Sequence, residues 1–242
     1  MIIMGAEFYG EDFQGADVAP FVGINTFLHL PWVKNHKELL EVKPDVVIIG
    51  EPFDFGTTIR PGARYGPRAI RAASTIPSPP FERFNIETGA DPFGTFKTVD
   101  YGDVNVTPGD VIGSHKSMTL KVKEVLEADG IPVMLGGDHS ITYANVRAFQ
   151  KKFKNIGMIH FDTHADCAPQ GLTGFKYDHG AHIRRIMEMG CLKGKNYSLV
   201  GPRGYWPGRD LYKWMADQDF QWFTMLDVEE LGVDYIAKEI AD

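Results

Sequence analysis

The sequence predicts an α/β fold with a mainly parallel sheet, and three observations predict it. Two short apolar runs, Ile131–Leu135 and Ile156–Phe161, each have the length of a buried strand. Between them a helical pattern places Ile141, Ala144, Ala148 and Phe149 on one face, with Ser140 as its N-cap. The third observation is where residues that bind metals fall. Gly136-Gly137-Asp138-His139 follows the first run, and Asp162-Thr163-His164-Ala165-Asp166 follows the second. A strand–helix–strand unit makes its strands parallel and its crossover right-handed. Both segments are therefore expected at one carboxyl edge of the sheet, where open α/β folds place their sites.

From its start, the chain divides into an N-terminal arm at 1–44 and an α/β domain at 45–242. Residues 10–20 are acidic and glycine-containing, and 21–32 are aromatic and apolar without a period, the pattern of a local lid in which His29 is structural. Residues 45–50 are the first core strand, and a loop beginning Glu51-Pro52-Phe53-Asp54 opens from its carboxyl end. Pro67 suits the first turn of a helix that carries Ile70 and Ala73 inward. Arg60, Arg64 and Arg68 are too spread for a phosphate site and are expected to pair with acidic loop residues. The Pro-rich stretch 74–94 is a loop of functional length.

A short strand at 96–99 and a turn at 107–110 precede an amphipathic helix at 114–128, with Met118, Val122, Val125 and Leu126 on its inner face and Gly130 as its stop. Beyond the metal motifs lie a loop at 167–180, a helix at 181–189 and a strand at 197–201. Arg203, Tyr205 and Trp206 then wall a pocket or pack on another subunit. A helix at 208–215, a strand at 220–224 and a helix from 233 carrying Val233, Ile236, Ala237 and Ile240 complete the reading.

The whole-chain quantities narrow the function. At 242 residues, 43% hydrophobic and 24% charged, the chain can bury one substantial α/β core. A net charge of −7 with no basic block argues against a nucleic-acid partner. Two cysteines are too few for a disulfide framework and fit a reducing compartment. The first residues lack the basic region of a signal peptide, and no run approaches the roughly 20 apolar residues of a membrane span. The expectation is a cytoplasmic protein with no membrane association.

The residue types at the strand ends then specify a chemistry. Asp162, His164 and Asp166 are spaced so that an extended or loosely turned segment points all three one way. With His139 they supply two imidazoles and two carboxylates, a set suited to Mn²⁺, Fe²⁺, Ni²⁺, Zn²⁺ or Co²⁺, since Mg²⁺ and Ca²⁺ prefer oxygen. Singly, each has a plain explanation as a cap, a surface group or a core histidine. Four converging from two strand ends point to metal.

Gly136-Gly137-Asp138-His139-Ser140, Asp162-x-His164-x-Asp166 and the run from Val46 through Gly50, Pro52, Asp54, Gly56, Arg64, Gly66-Pro67 and Ile70-Arg71 resemble motifs of the ureohydrolase family of arginase, agmatinase and guanidinobutyrase, the agmatinase branch above all. The resemblance implies a three-layer α/β/α sandwich and two divalent ions, Mn²⁺ first and Ni²⁺ second. It assigns His139, Asp162 and Asp166 to one ion, and His164 with the second oxygen of Asp162 to the other. Asp166 would also take up charge during catalysis, and His179 would shuttle protons. His182 is read as structural, and His160 as a support for the ligands or simply core. The implied reaction is attack of metal-activated water on a guanidinium carbon, giving urea and an amine.

Agmatine is the first substrate guess; guanidinobutyrate, guanidine or a biguanide, with Ni²⁺, is the alternative. The family also implies a trimer or hexamer. Its third motif, S-x-D-x-D, is missing, so the sequence is expected to be cut short at its carboxyl end and to hold at most one metal tightly. A truncated, non-catalytic paralogue serving as a structural subunit is the rival reading.

Overall fold

Among the described residues, six strands, every ladder between them parallel, carry the fold. The structure is a computed structural model that describes residues 21–75, 84–172, 174–205 and 207–241. Trp206 and the prolines of the 76–83 segment lie outside the described residues. The chain forms two compact units.

One unit comprises the chain up to Asp54 together with Pro61–Asp138. Its elements are α1 (His36–Val42), β1 (Val46–Gly50), α2 (Gly66–Ser74), the short α3 (Pro92–Thr95), β2 (Thr98–Asp103), α4 (Val111–Glu127) and β3 (Ile131–Leu135). The strand order is β2-β1-β3. Central β1 buries Val47 and Ile49 completely, as do Met118, Val122 and Val125 on α4. That helix starts three residues before the expected 114, because Asp110 caps it by accepting the Gly113 N–H (2.7 Å). Strand β2 runs on to Asp103, past the expected end at 99, where Arg71 from α2 binds Asp100 through Nε (2.8 Å) and Nη2 (2.9 Å) and also reaches Asp103. The expected loop pairing is present: Arg64 Nε donates to Asp54 (2.6 Å).

The second unit comprises Phe55–Arg60 and the chain from His139 onward. It contains α5 (Ile141–Lys152), β4 (Ile156–Phe161), α6 (His182–Glu188), β5 (Leu192–Val200), α7 (Arg209–Asp217), β6 (Gln221–Phe223), α8 (Met225–Leu231) and α9 (Val233–Ala241). Strand order is β4-β5-β6, and the core packs on central β5, where Tyr197 and Leu199 are fully buried with Ile183 and Ile186 of α6.

Two expectations fail here. The strands flanking α5 are not buried: β3 pairs with β1, and β4 with β5. Each is consequently the edge strand of a three-stranded sheet rather than a buried one, and Ile131, Val133, Ile159 and Phe161 are exposed. An apolar run reads the same whether one or both of its ladders are used. Ser140, in turn, makes no capping hydrogen bond; its backbone is already helical (φ −66°, ψ −20°).

Candidate metal centre

The centre is built where β4 ends. Asp162 takes its place in the β5 register through its N–H to Val200 O (3.1 Å), while its Oδ1 accepts the N–H of His164 (2.8 Å). Side chain-to-backbone closure of this kind is what aspartate does where an extended segment turns. Asp166 adopts φ 44°, the left-handed region that non-glycine residues enter rarely and where strain often accompanies function. Its carbonyl accepts the Ile183 N–H from α6 (3.1 Å), and Ala168 N–H binds Gly180 O (3.1 Å), folding the loop back on itself.

These constraints bring Asp162 and Asp166 to one imidazole. His139 Nδ1 lies 3.0 Å from Asp162 Oδ2 and 3.1 Å from Asp166 Oδ2. Two further histidines complete the cluster: ligand atoms of His139, His160, Asp166 and His182 all lie within 4.8 Å of one another. The His182 ring packs 4.1 Å from that of His139, and His160 meets His139 edge-on at 4.9 Å. His182 Nδ1–H donates to His179 O (2.8 Å), whereas Nε2 of His182 and Nε2 of His160 are buried without a hydrogen-bond partner among the described residues.

The other expected residues stand apart. The His164 side chain is 55% exposed, with Nδ1 3.6 Å from Asp162 Oδ1. His179 is held by Thr58, from the 55–60 segment. Thr58 N–H donates to His179 Nε2 (3.3 Å), and Thr58 Oγ1 lies 2.9 Å from the same nitrogen. Accepting at Nε2 leaves Nδ1 to carry the proton of the neutral ring. Arg203 N–H binds Thr163 O (3.1 Å) beside the ligand loop, while Tyr205 is fully exposed.

Electrostatics favour a cation among these groups. Burial alone would raise the Asp162 carboxyl, but contacts with His160, the His164 N–H and His139 outweigh it and hold the group well below the carboxylate range. Burial lowers the His139 imidazole, and the Asp166 and Asp162 carboxylates overcome it to a net rise. The pull that favours a proton on His139 is the pull a dication would feel. Burial first, then the neighbouring His139 and His160, push His182 well down, which keeps its ring neutral.

The donor set passes a geometric test for a metal. Adjacent ligands on an octahedral ion, each at roughly 2.1 Å, stand about 3 Å apart. The His139–Asp162 and His139–Asp166 separations match that spacing. Imidazoles outnumber carboxylates in the cluster, so a borderline ion suits it better than Mg²⁺ or Ca²⁺.

Parallel strands with helices and an imidazole–carboxylate cluster at a strand's carboxyl end define a class, the proteins of arginase-like α/β fold. The chain belongs to the arginase family, whose profile matches residues 44–242. It is 37% identical over 204 residues to the mitochondrial agmatinase of Gallus gallus, covering 84% of this chain and 57% of that protein. The mitochondrial guanidino acid hydrolase of Homo sapiens is 38% identical over 204 residues, with 84% and 55% covered. The chain thus spans a little over half the length of these relatives. Among solved structures, proclavaminate amidino hydrolase from Streptomyces clavuligerus superposes with a TM-score of 0.79 at 31% identity, covering 92% of this chain and 71% of that one.

Sequence reasoning placed His139, Asp162, His164 and Asp166 together; the structure gathers His139, Asp162 and Asp166 and leaves His164 more than half exposed. It gave His160 and His182 no firm part. His160 carried a signal, standing two residues before Asp162 on the same side of a strand. Thr58 carried none.

Proposed function

We propose that the protein hydrolyses a guanidino compound to urea and an amine, with agmatine the first candidate substrate and Mn²⁺ the first candidate metal. His139, Asp162 and Asp166 would hold one divalent ion, and His164 with Asp162 would contribute to a second. Bound there, such ions supply Lewis-acid activation of water at neutral pH. The observation that carries this reading is the convergence of both carboxylates on His139 Nδ1 at 3.0 and 3.1 Å. Asp166 accepts charge from the reacting guanidinium, and His179, oriented by Thr58, exchanges protons with solvent through Nδ1.

The relatives' names support the reaction class and divide over the substrate's tail, a cationic amine in one and an acid in the other. A urea-release panel over the full reading frame tests the reading, using agmatine, guanidinobutyrate, arginine and guanidine with Mn²⁺ or Ni²⁺. Agmatine with Mn²⁺ is expected to be turned over fastest. No urea from any substrate, with metal bound, would overturn the proposal in favour of a non-catalytic subunit.

A further inference from the structure

Behind the carboxylates lies a buried contact that the proposed reaction does not use. Tyr197 on β5 is fully buried, and its hydroxyl lies 2.6 Å from His160 Nδ1 on neighbouring β4. Parallel register makes the contact possible, with His160 opposite Leu199 and Met158 opposite Tyr197. The far nitrogen of the same ring, Nε2, stands 3.4 Å from Asp162 Oδ2, the oxygen that also meets His139.

We infer that Tyr197 fixes the tautomer of His160, so that His160 is a hydrogen-bond donor that positions Asp162 rather than a metal ligand. The direction of the first bond follows from satisfaction of buried groups. A buried hydroxyl that only accepted would leave its proton without a partner, and His160 Nδ1 is the partner the structure gives Tyr197. Burial, reinforced by the carboxylates of Asp166 and Asp162, pushes the phenol well above its ordinary range, so the proton stays on oxygen. With Tyr197 donating, Nδ1 is the acceptor and the neutral ring carries its proton on Nε2.

That proton then faces an acceptor. Nε2 has no closed hydrogen bond, and 3.4 Å is a loose contact of the kind that tightens when a site is loaded. The other groups around the ring are His139 and His182, whose rings meet it edge-on, and Asp166, within 4.8 Å, so Asp162 at 3.4 Å is the acid that contacts Nε2. Asp162 would be held at Oδ1 by the His164 N–H and steered at Oδ2 by His160. Hydrogen bonds of this type to ligating carboxylates are worth about 10–100-fold in metal affinity. His160 also belongs to the four-residue cluster of possible ligands, so the inference separates two roles for one ring. It rests on the metal reading only for its effect on affinity; the tautomer stands without it.

Long-range ¹H–¹⁵N correlation of the ¹⁵N-histidine-labelled protein, metal-free and at neutral pH, tests the tautomer directly. His160→Gln identifies the resonances by their loss. The expected result is a protonated Nε2 and an unprotonated Nδ1, with Tyr197→Phe shifting the Nδ1 resonance as its hydrogen bond is lost. A ring protonated at Nδ1 in the wild type overturns the inference, whether or not Tyr197→Phe folds.

Mn²⁺ titration, read as the loss of the free-ion EPR signal, tests the consequence. Tyr197→Phe is expected to weaken binding about tenfold or more, and His160→Gln, whose amide still donates, to bind more tightly than His160→Leu. Equal affinity in all four proteins overturns the positioning role. Failure of the wild type to bind any ion counts against the functional reading above and leaves the tautomer result to decide this one.

Discussion

Asp162 shows how few atoms decide the chemistry at the residue scale. One of its oxygens closes the turn onto His164, and the other faces His139 and His160, so neither is spare. The spacing Asp162-x-His164-x-Asp166 made the carboxylates legible in sequence. It did not show that His164 would point outward, because an alternation rule assumes an extended segment and Asp166 leaves it at φ 44°. The hold on His179 was equally hidden, since Thr58 lies 121 residues away along the chain.

That hold gives a prediction on the proposed function: His179→Ala lowers turnover by roughly 10² or more and leaves bound metal unchanged. Loss of metal, measured by atomic emission, would make His179 a ligand instead. A second prediction concerns Asp54. Burial raises its pKa, but Arg64 and the Gly62 and Arg64 N–H groups outweigh burial and lower it from the ordinary 3.8. A carboxylate depressed on folding contributes stability above its unfolded pKa and loses it as pH falls through the folded value. Urea melts should therefore show the advantage of wild type over Asp54→Asn constant above about pH 5 and shrinking below about pH 4. An advantage that is flat down to pH 2 would show that the ion pair contributes nothing.

Elements carried a different kind of information. Strand and helix types followed from periodicity, and α4, β4 and α6 lie close to where the pattern put them. What periodicity lacked was the partner of each strand. An edge strand can be as apolar as a central one, and Ile159 and Phe161 of β4 border a cavity of about 630 Å³ with Met225, Ile236 and Ile240.

The short helix α8 went unread because its cap is a Thr224–Asp227 box, in which aspartate does the work more often given to glutamate. Strand β5 extends back to Leu192 across two lysines and a glycine that do not look like a core strand. Gly194 explains part of that, since a Cβ there would run into the carbonyl oxygen of Gln218, which follows α7. Gly194→Ala is expected to cost about 1–3 kcal/mol, because a backbone atom cannot swing aside as a flexible side chain can. Unchanged urea denaturation would mean that the 218–219 turn moves freely.

At the scale of the whole molecule, the question is how much positive charge the gathered groups can hold. Two anionic side chains, Asp162 and Asp166, converge with His139 and suffice to neutralise one dication. A second ion would find His164, more than half exposed, and the Asp162 oxygen 3.6 Å from it, an oxygen already engaged by the His164 N–H. It would also stand close to the first ion, and repulsion between two dications is compensated only by carboxylates between or beside them. Among the described residues, the cluster of possible ligands contains a single carboxylate, that of Asp166, and Asp162 lies beside it at 3.0 Å from His139. These 242 residues are therefore expected to retain one Mn²⁺ per chain, or less, after gel filtration in metal-free buffer, and Asp166→Asn to retain none. Atomic emission against protein concentration measures this directly. Two ions per chain, in protein shown by mass to be these residues alone, would require anionic ligands that this charge count omits.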